Sequence, residues 1–225
     1  MAGLNLSAFD VIGPVMIGPS SSHTAGAVRL GLVARHLLGS GPRRADIELH
    51  GSFAATGRGH ATDRALLTGL MGDAPDHEAL PQAFERAGAA GLEFAFSVVD
   101  LGDAAHPNSV RFCLDSGENR LELIGASLGG GVIEIVEIDG HFTAFKGTRH
   151  TLVCWHADRS GFLFHLTAAF AAFDINIATL STTRRGRGSE ALTVIETDDA
   201  IVASVLQLTA KLDGLVRQRF FSPLP

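Results

Sequence analysis

The chain has 225 residues, is 46% hydrophobic, and carries a net charge of −6 with a pI near 5.9. That is enough apolar material for one sizeable core or two smaller ones, so two domains are expected. Nucleic acid and membrane are excluded as partners: the one basic cluster, Arg184, Arg185 and Arg187, falls in a predicted hairpin turn, and no window reaches the roughly 18 apolar residues of a span.

At the N-terminus, Met1 to Leu6 has neither a basic region nor a sustained apolar stretch, which predicts a cytoplasmic location. Next comes "GPSSSHTAG", residues 18–26, with three hydroxyls and an imidazole at the start of a predicted helix. That helix runs from Thr24 to Leu38 on Val28, Leu30, Leu32, Val33, Leu37 and Leu38, and stops at Gly39 with Pro42 beyond. A nucleophile elbow does not fit, because His23 directly follows Ser22 and cannot act as its base; a phosphate loop does not fit, because no Gly-Lys-Ser/Thr is present. Two readings remain. Ser20, Ser21, Ser22 and Thr24 present hydroxyls and backbone N–H groups to a carboxylate at a helix N-terminus, or one serine is an N-cap and the others are solvated. Capping needs one hydroxyl, so three serines beside His23 favour a site.

"ADIELHG" reads as a strand, and "GSFAATGRGHATD", residues 51–63, forms a second polar cluster. Here Ser52 and Thr56 are donors, Gly57 and Gly59 allow tight backbone, and His60 lies near the start of a helix that opens at about Ala61. Asp63 either orients His60 or caps that helix. A further helix is predicted over Leu80 to Ala90. From Gly91 the period becomes two, in "LEFAFSVVD", "NSVRFCLD", "RLELIGASL" and "GVIEIVEIDG", which predicts a mostly antiparallel sheet and an α/β or α+β first domain over residues 1–148. His106 in "HPNS" and the glycine loop "GASLGGG" at 125–131 form a third candidate cluster, with ordinary turns as the alternative.

Cys113 and Cys154 sit in alternating apolar runs and read as core, and a metal or cluster site would need about three or four converging ligands. Lys146 at a strand end and Lys211 at a helix end are the only lysines, and neither suits a pyridoxal Schiff base. Over residues 149–225 the pattern restarts as βαββαβ, the ferredoxin-like order.

This C-terminal module resembles an ACT domain through its "DRSG" turn, its "DINIATLS" lead-in to the second strand and its Arg/Gly-rich hairpin. Ser160 departs from the proline the family usually has there. The resemblance implies a homodimer through this module and an amino-acid effector held by Asp158, Ser160, Gly161 and Asn176; assembly alone, with Asp158 as a turn residue, is the alternative. The first domain's motifs, "VIGPVMIGPSSSHTAGAVRLG", "HGSFAATGRGHATDRALLTGL", "HPNSVRF" and "GASLGGGVIEI", together resemble the β chain of bacterial iron-sulfur L-serine dehydratase over residues 5–145. The resemblance implies a lyase that turns L-serine into pyruvate and ammonia with a [4Fe-4S] cluster on a separate α chain and no pyridoxal phosphate. By matching position, His60 and His23 become catalytic candidates, and Ser20, Ser21, Ser22, Thr24, Ser52 and Thr56 substrate-binding ones; Arg58 stands where the family more often has lysine. The same domain also resembles the allosteric substrate-binding domain of some D-3-phosphoglycerate dehydrogenases, so a non-catalytic amino-acid sensor is the second reading.

Overall fold

A computed structural model describes residues 15–57 and 59–225. The chain separates into two compact units. One comprises Met1–Asp139 with Ala144–Lys146 and Pro225, the other Gly140–Thr143 and Gly147–Leu224. No helix among the described residues is long and apolar enough to cross a membrane.

In the first unit a π-helical turn, Ser21–Ala25, runs into helix α1 (Gly26–Leu38). Strand β1 (Arg44–Leu49) follows, then the short helix α2 (Gly51–Thr56), α3 (Thr62–Met71), a 3-10 turn and α4 (Ala83–Ala89). Strands β2 (Glu93–Val98), β3 (Ser109–Asp115), β4 (Arg120–Gly129) and β5 (Val132–Ile138) follow in turn. With β6 (His141–Phe145), at the division between units, the sheet has the order β2-β1-β3-β4-β5-β6. The α/β class expected from the change of period is the class observed. The sheet departs from the antiparallel expectation at β2, which pairs parallel to β1 at the edge while β3 pairs antiparallel on β1's other side. Helix α4 occupies the crossover that a parallel pair requires.

Fully buried Leu30, Leu37 and Leu38 of α1, Leu66, Leu67 and Leu70 of α3, and Ile47, Phe112, Leu123 and Ile135 of the sheet form the core. Helices α1 and α3 approach backbone to backbone at Gly31 and Gly69. A Cβ on Gly31 would lie 2.4 Å from Leu66 O, and one on Gly69 2.0 Å from Val28 O. The crossing therefore tolerates no side chain on either side.

Helix α2 went unseen in the sequence, where its six residues are too short for a helical period to register. It begins at Gly51, whose φ of +56° favours glycine and whose absent Cβ leaves room for Pro107 O at 2.7 Å.

The second unit has strand β7 (His150–Ala157), helix α5 (Phe162–Ala171), β8 (Ile177–Arg184), β9 (Glu190–Thr197), α6 (Ala203–Thr209) and β10 (Leu215–Phe221). Its antiparallel sheet runs β10-β7-β9-β8, the ferredoxin-like arrangement. Leu152, Cys154 and Ile195 on the sheet pack against Phe162, Leu166, Phe170 and Val205 of the helices.

Candidate functional site

Ser20 has extended backbone (φ −145°, ψ 125°), and its hydroxyl accepts the His23 N–H at 3.2 Å, so it is the capping serine of the turn. The sequence groups Thr24 with the substrate contacts. In the structure it is 0% exposed and its hydroxyl donates to His60 O at 3.4 Å, so it ties the two polar segments together and is closed to a ligand. Ser21 contributes its carbonyl, which accepts the Gly26 N–H.

His23 is the hub where the first two clusters meet. Its ring is 9% exposed, with Nε2 at 3.1 Å from Thr56 Oγ1 and 3.3 Å from Ser52 Oγ, and Nδ1 at 3.3 Å from Ser22 Oγ. Ser52 and Thr56 reach it together because they stand four apart on one face of α2. The tautomer follows from the chain of donors. The Thr56 hydroxyl donates to Ser52 O at 2.9 Å, so Thr56 Oγ1 accepts from His23 Nε2–H, and Nδ1 is left to accept the Ser22 hydroxyl. Burial, and after it the neighbouring His60, hold His23 below the ordinary histidine value, against an opposing pull from the Ser52 backbone. The buried ring of Phe53 meets it edge-on with centroids 5.2 Å apart.

His60 lies beside it, with ring centroids 4.9 Å apart and an interplanar angle of 41°. Its Nδ1 is 3.2 Å from Thr56 O. A carbonyl can only accept, so Nδ1 carries the proton and Nε2 presents a lone pair in the neutral ring. Asp63 is not the orienting group. Its carboxylate accepts the Arg64 N–H at 2.8 Å in the first turn of α3, and the Thr56 carbonyl orients His60 in its place.

The third cluster buttresses the second. Pro107 O accepts the Phe53 N–H at 3.3 Å at the start of α2, and within the "HPNS" loop His106 Nδ1 accepts the Asn108 N–H at 3.1 Å. A cavity of about 740 Å³ on the flank of α2 is lined mainly by apolar groups, among them Phe53, Phe84, Phe96 and Val98. Neither imidazole lines it, although Thr56, Asp63 and Arg64 do.

In the second unit Asp158 accepts the Gly188 N–H at 2.9 Å and Arg184 Nη1 at 2.7 Å, and these two contacts, the first foremost, hold its carboxyl below the usual range. It is thereby committed to the hairpin turn. Ser160, Gly161 and Asn176 are exposed, Gly161 directly ahead of α5 and Asn176 ahead of β8.

Among the described residues no group of three or more His, Cys, Asp or Glu is placed to hold a metal ion. The two cysteines lie in different units and do not suit a cluster as thiolate ligands. Burial pushes the Cys154 thiol up to about 12, and burial together with Glu122 raises Cys113.

The family model described as serine dehydratase beta chain matches residues 7–91, and that described as ACT domain matches residues 150–214. A probable L-serine dehydratase, beta chain, of Bacillus subtilis (strain 168) is 39% identical, over 94% of this chain and 96% of its own length. The L-serine dehydratase, beta chain, of Peptoniphilus asaccharolyticus is 38% identical, over 88% and 90%. The L-serine dehydratase TdcG of Escherichia coli (strain K12) is 34% identical over 57% of this chain and only 33% of its own length, so this chain corresponds to a part of that longer protein.

Proposed function

The chain belongs to the serine dehydratase beta-chain family and carries a C-terminal ACT domain, and from that premise we propose that it is the β subunit of a two-chain L-serine ammonia-lyase. The observation that carries this reading is the pair of imidazoles, His23 and His60, 4.9 Å apart and framed by the hydroxyls of Ser22, Ser52 and Thr56. These groups suit the carboxylate and ammonium of an amino acid and the removal of a proton beside them.

Elimination of water from L-serine requires that the Cα proton go to a base and the β-hydroxyl leave with its electron pair. The resulting aminoacrylate then tautomerises and hydrolyses to pyruvate and ammonia. In this reading His60 Nε2 is the base, since Thr56 O holds the proton on Nδ1 and leaves the lone pair on Nε2. His23 positions the hydroxyls. Burial keeps it neutral near pH 7, so it does not add a second positive charge beside His60 once that ring has taken its proton. Ser22 and Ser52 hold the polar ends of the substrate, with Ser20 and Ser21 shaping the turn that presents Ser22. The departing hydroxyl needs a Lewis acid, and among the described residues no group of three or more His, Cys, Asp or Glu is placed to hold one. We assign the [4Fe-4S] cluster that supplies it to a separate α chain, in keeping with the β-chain names of the full-length relatives. The ACT module, residues 149–225 in this proposal, pairs two copies of the chain and offers Ser160, Gly161 and Asn176 to an amino-acid effector.

The test is reconstitution with the α chain and a pyruvate assay. Wild-type complex should deaminate serine and the chain alone should not; His60→Asn should abolish turnover while the cluster's visible absorbance stays intact. Wild-type turnover in His60→Asn, or activity of the lone chain, refutes the assignment.

A further inference from the structure

We propose that Ser127 is a positioning residue for this site. It fixes the carbonyl of Ser22 and, through it, aims the Ser22 hydroxyl at His23. The proposal rests on the functional reading above and adds a residue to it from a strand 105 positions away in sequence.

Ser127 is 0% exposed, near the end of β4, where pairing with β5 shifts register between Ser127 and Gly129. The irregularity belongs to the "GASLGGG" segment, and it frees the hydroxyl to leave the sheet. Ser127 Oγ donates to Ser22 O at 2.8 Å, from a fully buried donor to a residue that is itself half-buried. Both backbone groups of Ser127 are tied as well: its N–H donates to Asn108 O at 2.9 Å and its carbonyl accepts Asn108 Nδ2 at 3.4 Å. The "HPNS" loop that buttresses α2 thus also holds the residue that holds Ser22. Space for this hydroxyl is reserved from the other side. A Cβ on Gly26 would fall 2.0 Å from Ser127 Oγ, so only glycine at the first position of α1 admits the contact.

The contact matters because of where Ser22 lies. It belongs to a π-helical turn, whose wider hydrogen-bonding pattern is less stable than an α-helix and persists where other groups hold it. A buried donor on the Ser22 carbonyl fixes that peptide, hence the direction of the Ser22 side chain and its 3.3 Å approach to His23 Nδ1. Removing the hydroxyl takes this donor away from the Ser22 carbonyl, and the turn is free to relax toward α geometry with Ser22 turned away from the imidazole.

The experiment is a double-mutant cycle in the assembled two-chain enzyme with Ser22→Ala, Ser127→Ala and the double variant. Ser127→Ala alone should lower kcat/KM for serine about tenfold, with most of the loss in KM. In the Ser22→Ala background it should change kcat/KM by less than about twofold, because the group it acts through is gone. An equal tenfold loss in both backgrounds, or wild-type kcat/KM in Ser127→Ala, overturns the proposal. A second readout needs no turnover: in the full β chain alone, Ser127→Ala and Ser22→Ala should move the His23 ring nitrogen resonances alike, and an unmoved His23 in Ser127→Ala also overturns it. Should Ser127→Ala fail to fold, Ser127→Cys, of similar size with a weaker donor, should give an intermediate loss and an intermediate shift, and wild-type values would refute the role. If wild-type complex fails to deaminate serine, the functional reading falls by itself, while the resonance comparison still decides whether Ser127 positions Ser22.

Discussion

Replacing Gly69 by alanine perturbs the site from a distance that can be worked out. Gly69 lies at the α1–α3 crossing, where its new Cβ would sit 2.0 Å from the backbone oxygen of Val28. Real Cβ atoms do not approach closer than 3.0 Å, so the two helices must part by about 1 Å or more. Both neighbours are backbone, and no side chain can turn aside to absorb the strain. Overpacking of this kind costs about 1–3 kcal/mol, partly offset by the roughly 1 kcal/mol alanine gains over glycine in a helix. The net loss, up to about 2 kcal/mol, lowers the melting midpoint by up to roughly 8 °C for a chain of this size. The effect on turnover should be larger, because α1 continues from the turn that carries His23, and α3 follows His60 after a single residue. Contacts of 3.1–3.3 Å around His23 leave little slack for an opening of that size, and a 1 Å misplacement of reacting groups costs about a hundredfold in rate. The assay is pyruvate formation by the reconstituted complex beside a thermal melt. Gly88→Ala serves as control: nothing lies within 4 Å of its added Cβ, so it should be neutral or slightly stabilising with unchanged turnover. Wild-type turnover in a folded Gly69→Ala enzyme would refute the idea that the crossing sets the spacing of the two imidazoles.

Two further outcomes follow from titratable groups. Replacing both cysteines by alanine should leave the cluster's absorbance per assembled complex unchanged, since among the described residues neither thiol stands in a group of three or more metal-ligating side chains; loss of the cluster would place a ligand on this chain. Stability of the isolated chain should fall as pH drops from about 7.5 to 5. His23 and His156 are held by burial below their unfolded value of about 6.5, so the unfolded chain binds more protons in this window; their contribution is complete above that value and is lost as pH falls through the folded one. Carboxylates such as Asp115 and Asp158, held below their ordinary value, lose their contribution only at lower pH, so a urea midpoint flat or rising between pH 7.5 and 5 would contradict the burial of these rings.

Much of the architecture was legible because it is written in periods. The alternation in "NSVRFCLD" and "RLELIGASL" and the apolar density from Val28 to Leu38 report burial directly, and burial follows those patterns. Pairing partners are not periodic information. Glu93–Val98 alternates as a strand would on either side of β1, and only the helices packed ahead of it make it a parallel edge. The same division runs through the site. Residue types at Ser20–Thr24 and Ser52–His60 announced polar chemistry, because hydroxyls and imidazoles in that density exceed what capping needs. Which hydroxyl does what was hidden. Ser20 caps, Thr24 is buried as a tie, and Ser22 alone of the three serines meets the His23 ring through its side chain. The group that orients His60 is a backbone carbonyl, and the donor that holds Ser22 is one serine in a strand. Neither has a signature in composition or spacing, since any residue supplies a carbonyl and a lone strand serine is common.

The exposure of these groups bears on how firmly the corner holds a ligand. His23 is almost fully buried, but Thr56 is exposed, and Ser52 and His60 are only half-buried. Hydroxyls and imidazoles in contact with water exchange one hydrogen bond for another, and each such exchange contributes only about 1 kcal/mol to holding a ligand. Excluding that water would lower the local dielectric, so the same hydrogen bonds to the charged ends of a zwitterion would strengthen without moving an atom of this chain. The short α2 is what keeps the corner open. It ends at Thr56, and the backbone doubles back through Gly57 and Gly59 so that His60 stands beside His23 at the surface. The His60 ring, held at Nδ1 by Thr56 O, thus stands half-buried beside His23 with Nε2 left to accept a proton.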